Sequence, residues 1–129
     1  MASTYSTKEE KALATLRQIR MAIVQLQEWN AEKQSVNDFL ISPEGMKDLA
    51  ASSMLIEAIG EGFKNIDKLT DGKLLPLRPE IPWKEVKGMR DKIAHGYFDI
   101  DAALVFEAVK YDLPDLMPAV DFFIKELSA

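Results

Sequence analysis

The chain has 129 residues, 47% apolar and 29% charged, with a formal charge of −5, one histidine and no cysteine. That length suits one domain with its own core, expected to span residues 1–129, and the composition excludes a disordered chain. Without cysteine there is no disulfide, thiolate metal site or thiol nucleophile, and the acidic balance excludes broad electrostatic binding of nucleic acid.

The apolar spacing is helical almost throughout. Residues 8–32 carry Leu13, Leu16, Ile19, Ile23, Leu26 and Trp29 at steps of three and four, which predicts an amphipathic helix. Ser42-Pro43-Glu44 is a helix start: an N-cap, a proline in the first turn and an acid at the positive end of the dipole. The helix it opens runs through Met46, Leu49, Met54, Ile56, Ile59, Phe63 and Ile66 and stops near Asp71-Gly72. Inside it Gly60 and Gly62 each cost about 1 kcal/mol against alanine, a loss that close approach of a neighbouring helix or a ligand would explain.

Gly72 to Ile81, with Pro76 and Pro79, reads as an extended loop. Pro82 opens a third helix carrying Trp83, Val86, Met89, Ile93 and Ala94, expected to fray near Gly96. Asp99 or Asp101 can cap a fourth, with Leu104, Val105, Ala108 and Val109 on its buried face. Pro114 breaks that helix and begins a fifth through Leu116, Met117, Val120, Phe123, Ile124 and Leu127. With no strand pattern or internal repeat, the expected fold is all-α, an up-and-down bundle of about five helices. No apolar run is long enough to span a membrane, and MASTYSTKEEK has no apolar signal region. A cytoplasmic protein without membrane contact is therefore expected.

The chemistry concentrates in Arg90-Asp-Lys-Ile-Ala-His95-Gly-Tyr97. Histidine exchanges protons near neutrality, and arginine offers a planar fork matched to phosphate oxygens. Five residues apart, Arg90 and His95 would lie about 140° from each other on a continuous α-helix. Arg90 and Tyr97 would share a face only if the helix persisted past Gly96. With no second histidine and no carboxylate cluster at ligand spacing, the site reads as metal-independent and needs no cofactor. Lys84, Lys87 and Lys92 flank Arg90 as a local basic patch offset by Glu85 and Asp91, and these lysines together with Asp91 are candidates for phosphate binding or for supporting the site. Glu57 and Glu61, at i and i+4 beside Gly60, are placed to orient Arg90 by ion pairing across the bundle. The bland alternatives are a histidine that caps a helix, a tyrosine at the core edge, and lysines and acids that are solvated.

Arg90-x4-His95-x-Tyr97 resembles the signature of HepT-like toxins of the HEPN superfamily, helical partners of minimal nucleotidyltransferase antitoxins. The flanks agree: Pro79-Glu-Ile-Pro82-Trp83 before the motif, Gly88-Met89-Arg90 entering it, and Tyr97-Phe98-Asp99-Ile100-Asp101 after it. Glu57-Ala-Ile-Gly60-Glu61 resembles the family's second-helix motif, and the tail holds Asp112-Leu113-Pro114-Asp115-Leu116. The resemblance runs from about residue 46 onward and more loosely over the first helix. Phe106 departs from it, standing where relatives are expected to hold Trp, a change that bears on packing more than on chemistry.

The resemblance implies a HEPN-like four-helix core and a ribonuclease toxin of a type II toxin–antitoxin pair, with Arg90 and His95 catalytic. It implies a homodimer whose motifs face each other, an RNA substrate, and a nucleotidyltransferase antitoxin that silences the toxin by transferring AMP to Tyr97. The competing reading is a non-catalytic nucleotide-binding or adaptor module docked on the nucleotidyltransferase, which the acidic surface suits better than it suits RNA.

Overall fold

The computed structural model describes residues 7–94 and 99–128. Thr7 starts the first helix, α1 (Lys8–Trp29), by accepting the Glu10 N–H at 3.0 Å, while Glu9 and Glu10 face the positive end of the helix dipole. Its buried stripe is Ala12, Leu16, Ile19, Ile23 and Leu26. Trp29, expected to continue that stripe, is 41% exposed. The helix ends because Asn30, itself buried, caps it: its Nδ2 donates to the Leu26 carbonyl and to Ser52 Oγ, both at 2.9 Å. A 3₁₀ turn, Val36–Phe39, then sinks Phe39 completely into the core.

Helix α2 (Pro43–Leu69) begins as the sequence indicates, with Ser42 Oγ accepting the Gly45 N–H at 2.9 Å and proline in the first turn. It buries Leu49, Ile56, Ile59, Phe63 and Ile66 but leaves Met46 and Met54 on its outer side. It stops where Asp71 and Gly72 take positive φ (52° and 69°) and the Gly72 N–H bonds the Asp67 carbonyl at 2.8 Å. The following loop contains a 3₁₀ turn, Leu75–Leu77, that buries Leu75.

The expected third helix is two short ones, α3 (Trp83–Lys87) and α4 (Met89–Ile93), divided at Gly88. Trp83 joins layers here: its Nε1 donates to the Arg78 carbonyl at 3.0 Å, and its ring lies 5.1 Å from Phe63 and 5.7 Å from Phe123. Asp101, one of the two expected caps, starts α5 (Ala102–Glu107) by accepting the Leu104 N–H at 3.1 Å. Val105, Ala108 and Val109 are buried as expected, whereas Leu104 is half-buried.

The chain then makes a π turn, Ala108–Asp112, closed by the Leu113 N–H on the Ala108 carbonyl at 2.8 Å. A 3₁₀ turn, Pro114–Leu116, leads into α6 (Met117–Ser128), which buries Ala119, Val120 and Phe123. Phe106 meets Phe39 edge-on at 6.4 Å, so phenylalanine fills its place in the core edge. The result is an all-α bundle in which α1 packs along both α2 and α6 and the α3–α5 arm closes over α2.

Candidate functional site

Arg90 sits on α4, and its Nε lies 3.1 Å from Glu57 Oε1 on α2, so the ion pair expected across the bundle is formed. Gly60 makes it possible. A Cβ at Gly60 would lie 3.3 Å from the Val86 carbonyl oxygen and 3.4 Å from that of Lys87, so the end of α3 rests on the bare backbone of α2. Glu57 is one turn from Gly60 on the same face, within reach of the helix that follows α3. Gly62 plays the same part toward α1, where a Cβ would lie 3.0 Å from Ile19 Cδ1. Glu61 does not reach Arg90. It lies one turn beyond Glu57 and pairs with Lys64 at 3.2 Å.

Helix α4 ends earlier than the sequence suggests. Ala94 is extended (φ −145°, ψ 124°) and bridges antiparallel to Ile100. The Ile93 carbonyl, left without a partner in its own helix, accepts the Asp101 N–H at 2.7 Å. The 140° relation between Arg90 and His95 and the stacking of Arg90 with Tyr97 both assume a continuous helix. That helix stops at Ile93, so the condition on which both relations rest is not met. His95, Gly96 and Tyr97 lie outside the described residues, as does the expected fraying at Gly96. The described residues on either side of them are tied together by the Ala94–Ile100 bridge, one turn from Arg90.

The basic patch divides. Lys84, Lys87 and Asp91 line an open groove of about 630 Å³ with Lys64, Lys68 and Asp67. Within it Lys87 is paired to Asp67 at 3.0 Å, and the mixed charges make it no strong anion trap. Lys92 faces a different groove, between α4 and α5. Sequence reasoning missed an exposed apolar strip on α2, made of Met46, Ala50, Met54 and Ala58, at steps of four. Its signal was present in those methionines, which were read as part of the core stripe.

The family model for proteins described as ribonuclease HepT-like matches residues 10–122. An inferred RNase of Methanocaldococcus jannaschii is 42% identical over 72 residues, which cover 56% of this chain and 59% of that protein. A protein named probable ribonuclease HepT from Thermococcus cleftensis is 48% identical over 61 residues, 47% of this chain and 52% of its own length. An inferred RNase of Caldanaerobacter subterraneus subsp. tengcongensis is 34% identical over 82 residues, 64% and 67% of the two chains. The chain thus spans little more than half the length of the first relatives it matches. No solved structure gives a significant match.

Proposed function

This chain belongs to the ribonuclease HepT-like family, and from that premise we propose that it is a metal-independent endoribonuclease whose site forms between two copies. The observation that carries the reading is the Arg90–Glu57 pair, 3.1 Å apart beside the bridge that flanks His95 and Tyr97. Glu57 engages Nε, the inner nitrogen of the guanidinium. No second carboxylate among the described residues pairs with Arg90, and its terminal nitrogens are the ones suited to a bidentate grip on phosphate.

Cleavage of RNA by its own 2′-hydroxyl needs a base for the 2′ proton and an acid for the departing 5′-oxygen. One histidine per chain serves one role at a time. In a two-fold dimer, His95 of one copy takes the 2′ proton while the other His95, protonated, gives its proton to the 5′-oxygen. The 2′-oxygen bonds to phosphorus as the P–O5′ bond breaks, leaving a 2′,3′-cyclic phosphate and a 5′-hydroxyl. Like charges in one cleft push the two imidazole pKa values apart, which suits different roles. Arg90 neutralises charge building on the phosphorane oxygens. The α2 strip supports a dimer, since Met54 is 71% exposed and lies one turn from Glu57 on the outer face.

The resemblance further supports a toxin–antitoxin role in which a minimal nucleotidyltransferase transfers AMP to Tyr97. A bulky anion there would block phosphate from the site by sterics and like charge. Tyr97→Phe should retain cleavage and escape modification; labelling of that variant by the nucleotidyltransferase would move the acceptor elsewhere, with Tyr5 and Tyr111 as the remaining tyrosines.

The test of the proposal is cleavage of RNA by purified protein in the presence of a chelator, with His95→Ala alongside and the product ends identified. Loss in the variant and a cyclic phosphate on the product are expected. Upstream fragments ending in a 3′-hydroxyl would sink the mechanism, because attack by the 2′-oxygen cannot produce them.

A further inference from the structure

Helix α4 has a second working face. Met89, Lys92 and Ile93 line a groove of about 550 Å³ between the α3–α4 pair and the α5 arm. The floor is apolar, formed by Val86, Met89, Ile93, Leu104 and Leu116. The rim is acidic: Glu80, Glu85, Glu107, Asp112 and Asp115 stand against one cation, Lys92. Of these carboxylates Glu80 is satisfied internally, by Arg78 at 2.7 Å. The other four have no ion-pair partner among the described residues.

The backbone itself assembles this rim. In an α-helix Glu107 and Asp112, five residues apart, would point about 140° away from each other. The π turn over Ala108–Asp112 instead brings positions five apart toward one side. Desolvation at the groove wall, then Glu107 and Asp115 nearby, push the Asp112 carboxyl above its ordinary range. Gathering like charges over an apolar floor opposes folding, and a cationic occupant would relieve it.

We propose that this groove docks a basic amphipathic segment of a partner protein, with apolar side chains on the floor and Lys or Arg on Glu85, Glu107, Asp112 and Asp115. The charge pattern selects this occupant. RNA is repelled by the rim, and a second copy of this chain has the uncharged α2 strip around Met54 to occupy instead. A helix laid in the groove would use anchors at i, i+3 and i+4 for the floor and present lysines on either side of them. The inference does not depend on RNA cleavage and is tested without it.

The probe is a synthetic helix with one leucine face and one lysine face, titrated into the purified protein by fluorescence anisotropy. Binding should weaken as salt rises and should be absent for a scrambled peptide of the same composition. The triple variant Glu107→Gln/Asp112→Asn/Asp115→Asn should lose about tenfold in affinity. Leu104→Trp, which fills the floor without changing charge, should also weaken binding. The triple variant Glu9→Gln/Glu10→Gln/Glu126→Gln changes charge equally but outside the groove, and should bind as the unaltered chain does. Equal loss in both triple variants means that only net charge is read, and overturns the proposal. Unchanged binding in the groove variants overturns it as well. A groove variant that alters the oligomeric state in sedimentation would assign the groove to a second copy and overturn it too. Circular dichroism identifies a variant that has not folded, and Asp112→Asn alone, at an exposed position, then replaces the triple variant.

Discussion

The ion pair between Arg90 and Glu57 is too exposed to matter much for stability. With side chains 54% and 41% exposed, it belongs to the class of pairs that contributes about 0–1 kcal/mol. Its consequence is orientation, because a carboxylate beside Nε biases the direction in which the guanidinium's other edge points. Glu57→Gln is therefore expected to change unfolding free energy by less than about 0.5 kcal/mol while lowering kcat for RNA cleavage by about tenfold. KM should move little, and Glu57→Asp should recover part of the loss. Denaturant titration and steady-state cleavage check both sides of that split. Parallel loss of stability and activity would make Glu57 structural and not a positioning residue. This pairing was legible in the sequence because two acids beside glycines on a core-facing helix need a partner. Which acid takes the role was not legible, since it depends on where α3 crosses α2. Glu57 meets Arg90, and Glu61 meets Lys64 instead.

At the scale of elements, the crossing at Gly60 fixes the geometry of the arm. The Val86 carbonyl oxygen would stand 3.3 Å from a Cβ there, and backbone cannot yield as a flexible side-chain tip can. Gly60→Val puts a branched side chain into that contact and should cost about 1–3 kcal/mol by overpacking, read as a lower urea midpoint at unchanged m. It should also lift α4 from α2 and reduce cleavage beyond what the stability loss explains; a variant as stable and active as the original would refute the tight crossing. The helix boundaries that local chemistry dictates were readable from sequence: Ser42-Pro43 opens α2, Asp71-Gly72 closes it and Asp101 caps α5. The boundaries imposed by packing were not. The break at Gly88 and the early end at Ile93 come from α3 resting on Gly60 and from Asp101 taking the Ile93 carbonyl. The π turn likewise carries no residue signature. It lets Val109 and Leu113 both stay buried while Lys110 reaches the Asn30 carbonyl at 2.7 Å.

For the whole molecule, the proposed mechanism stands or falls on assembly, because a monomer holds one histidine. Scattered exposed apolar residues are ordinary on a protein surface. Met46, Ala50, Met54 and Ala58 are not scattered: they follow one outer side of α2 and end beside Glu57. A second copy seated on this strip would bring its own Arg90, and the Ala94–Ile100 bridge that precedes and follows His95 in the chain, toward the first copy's. Two copies of Arg90 in one cleft would concentrate positive charge locally, which reconciles a phosphate-handling site with a chain at −5. Met54→Lys puts like charges opposite each other across such a two-fold contact. At an exposed position it should alter folding stability by less than about 0.5 kcal/mol. It should nevertheless convert dimer to monomer in sedimentation equilibrium and abolish cleavage with Arg90 and His95 intact. A Met54→Lys protein that stays dimeric would take the interface off this face of α2. One that is monomeric and still cleaves would remove the need for two histidines, and with it the division into acid and base.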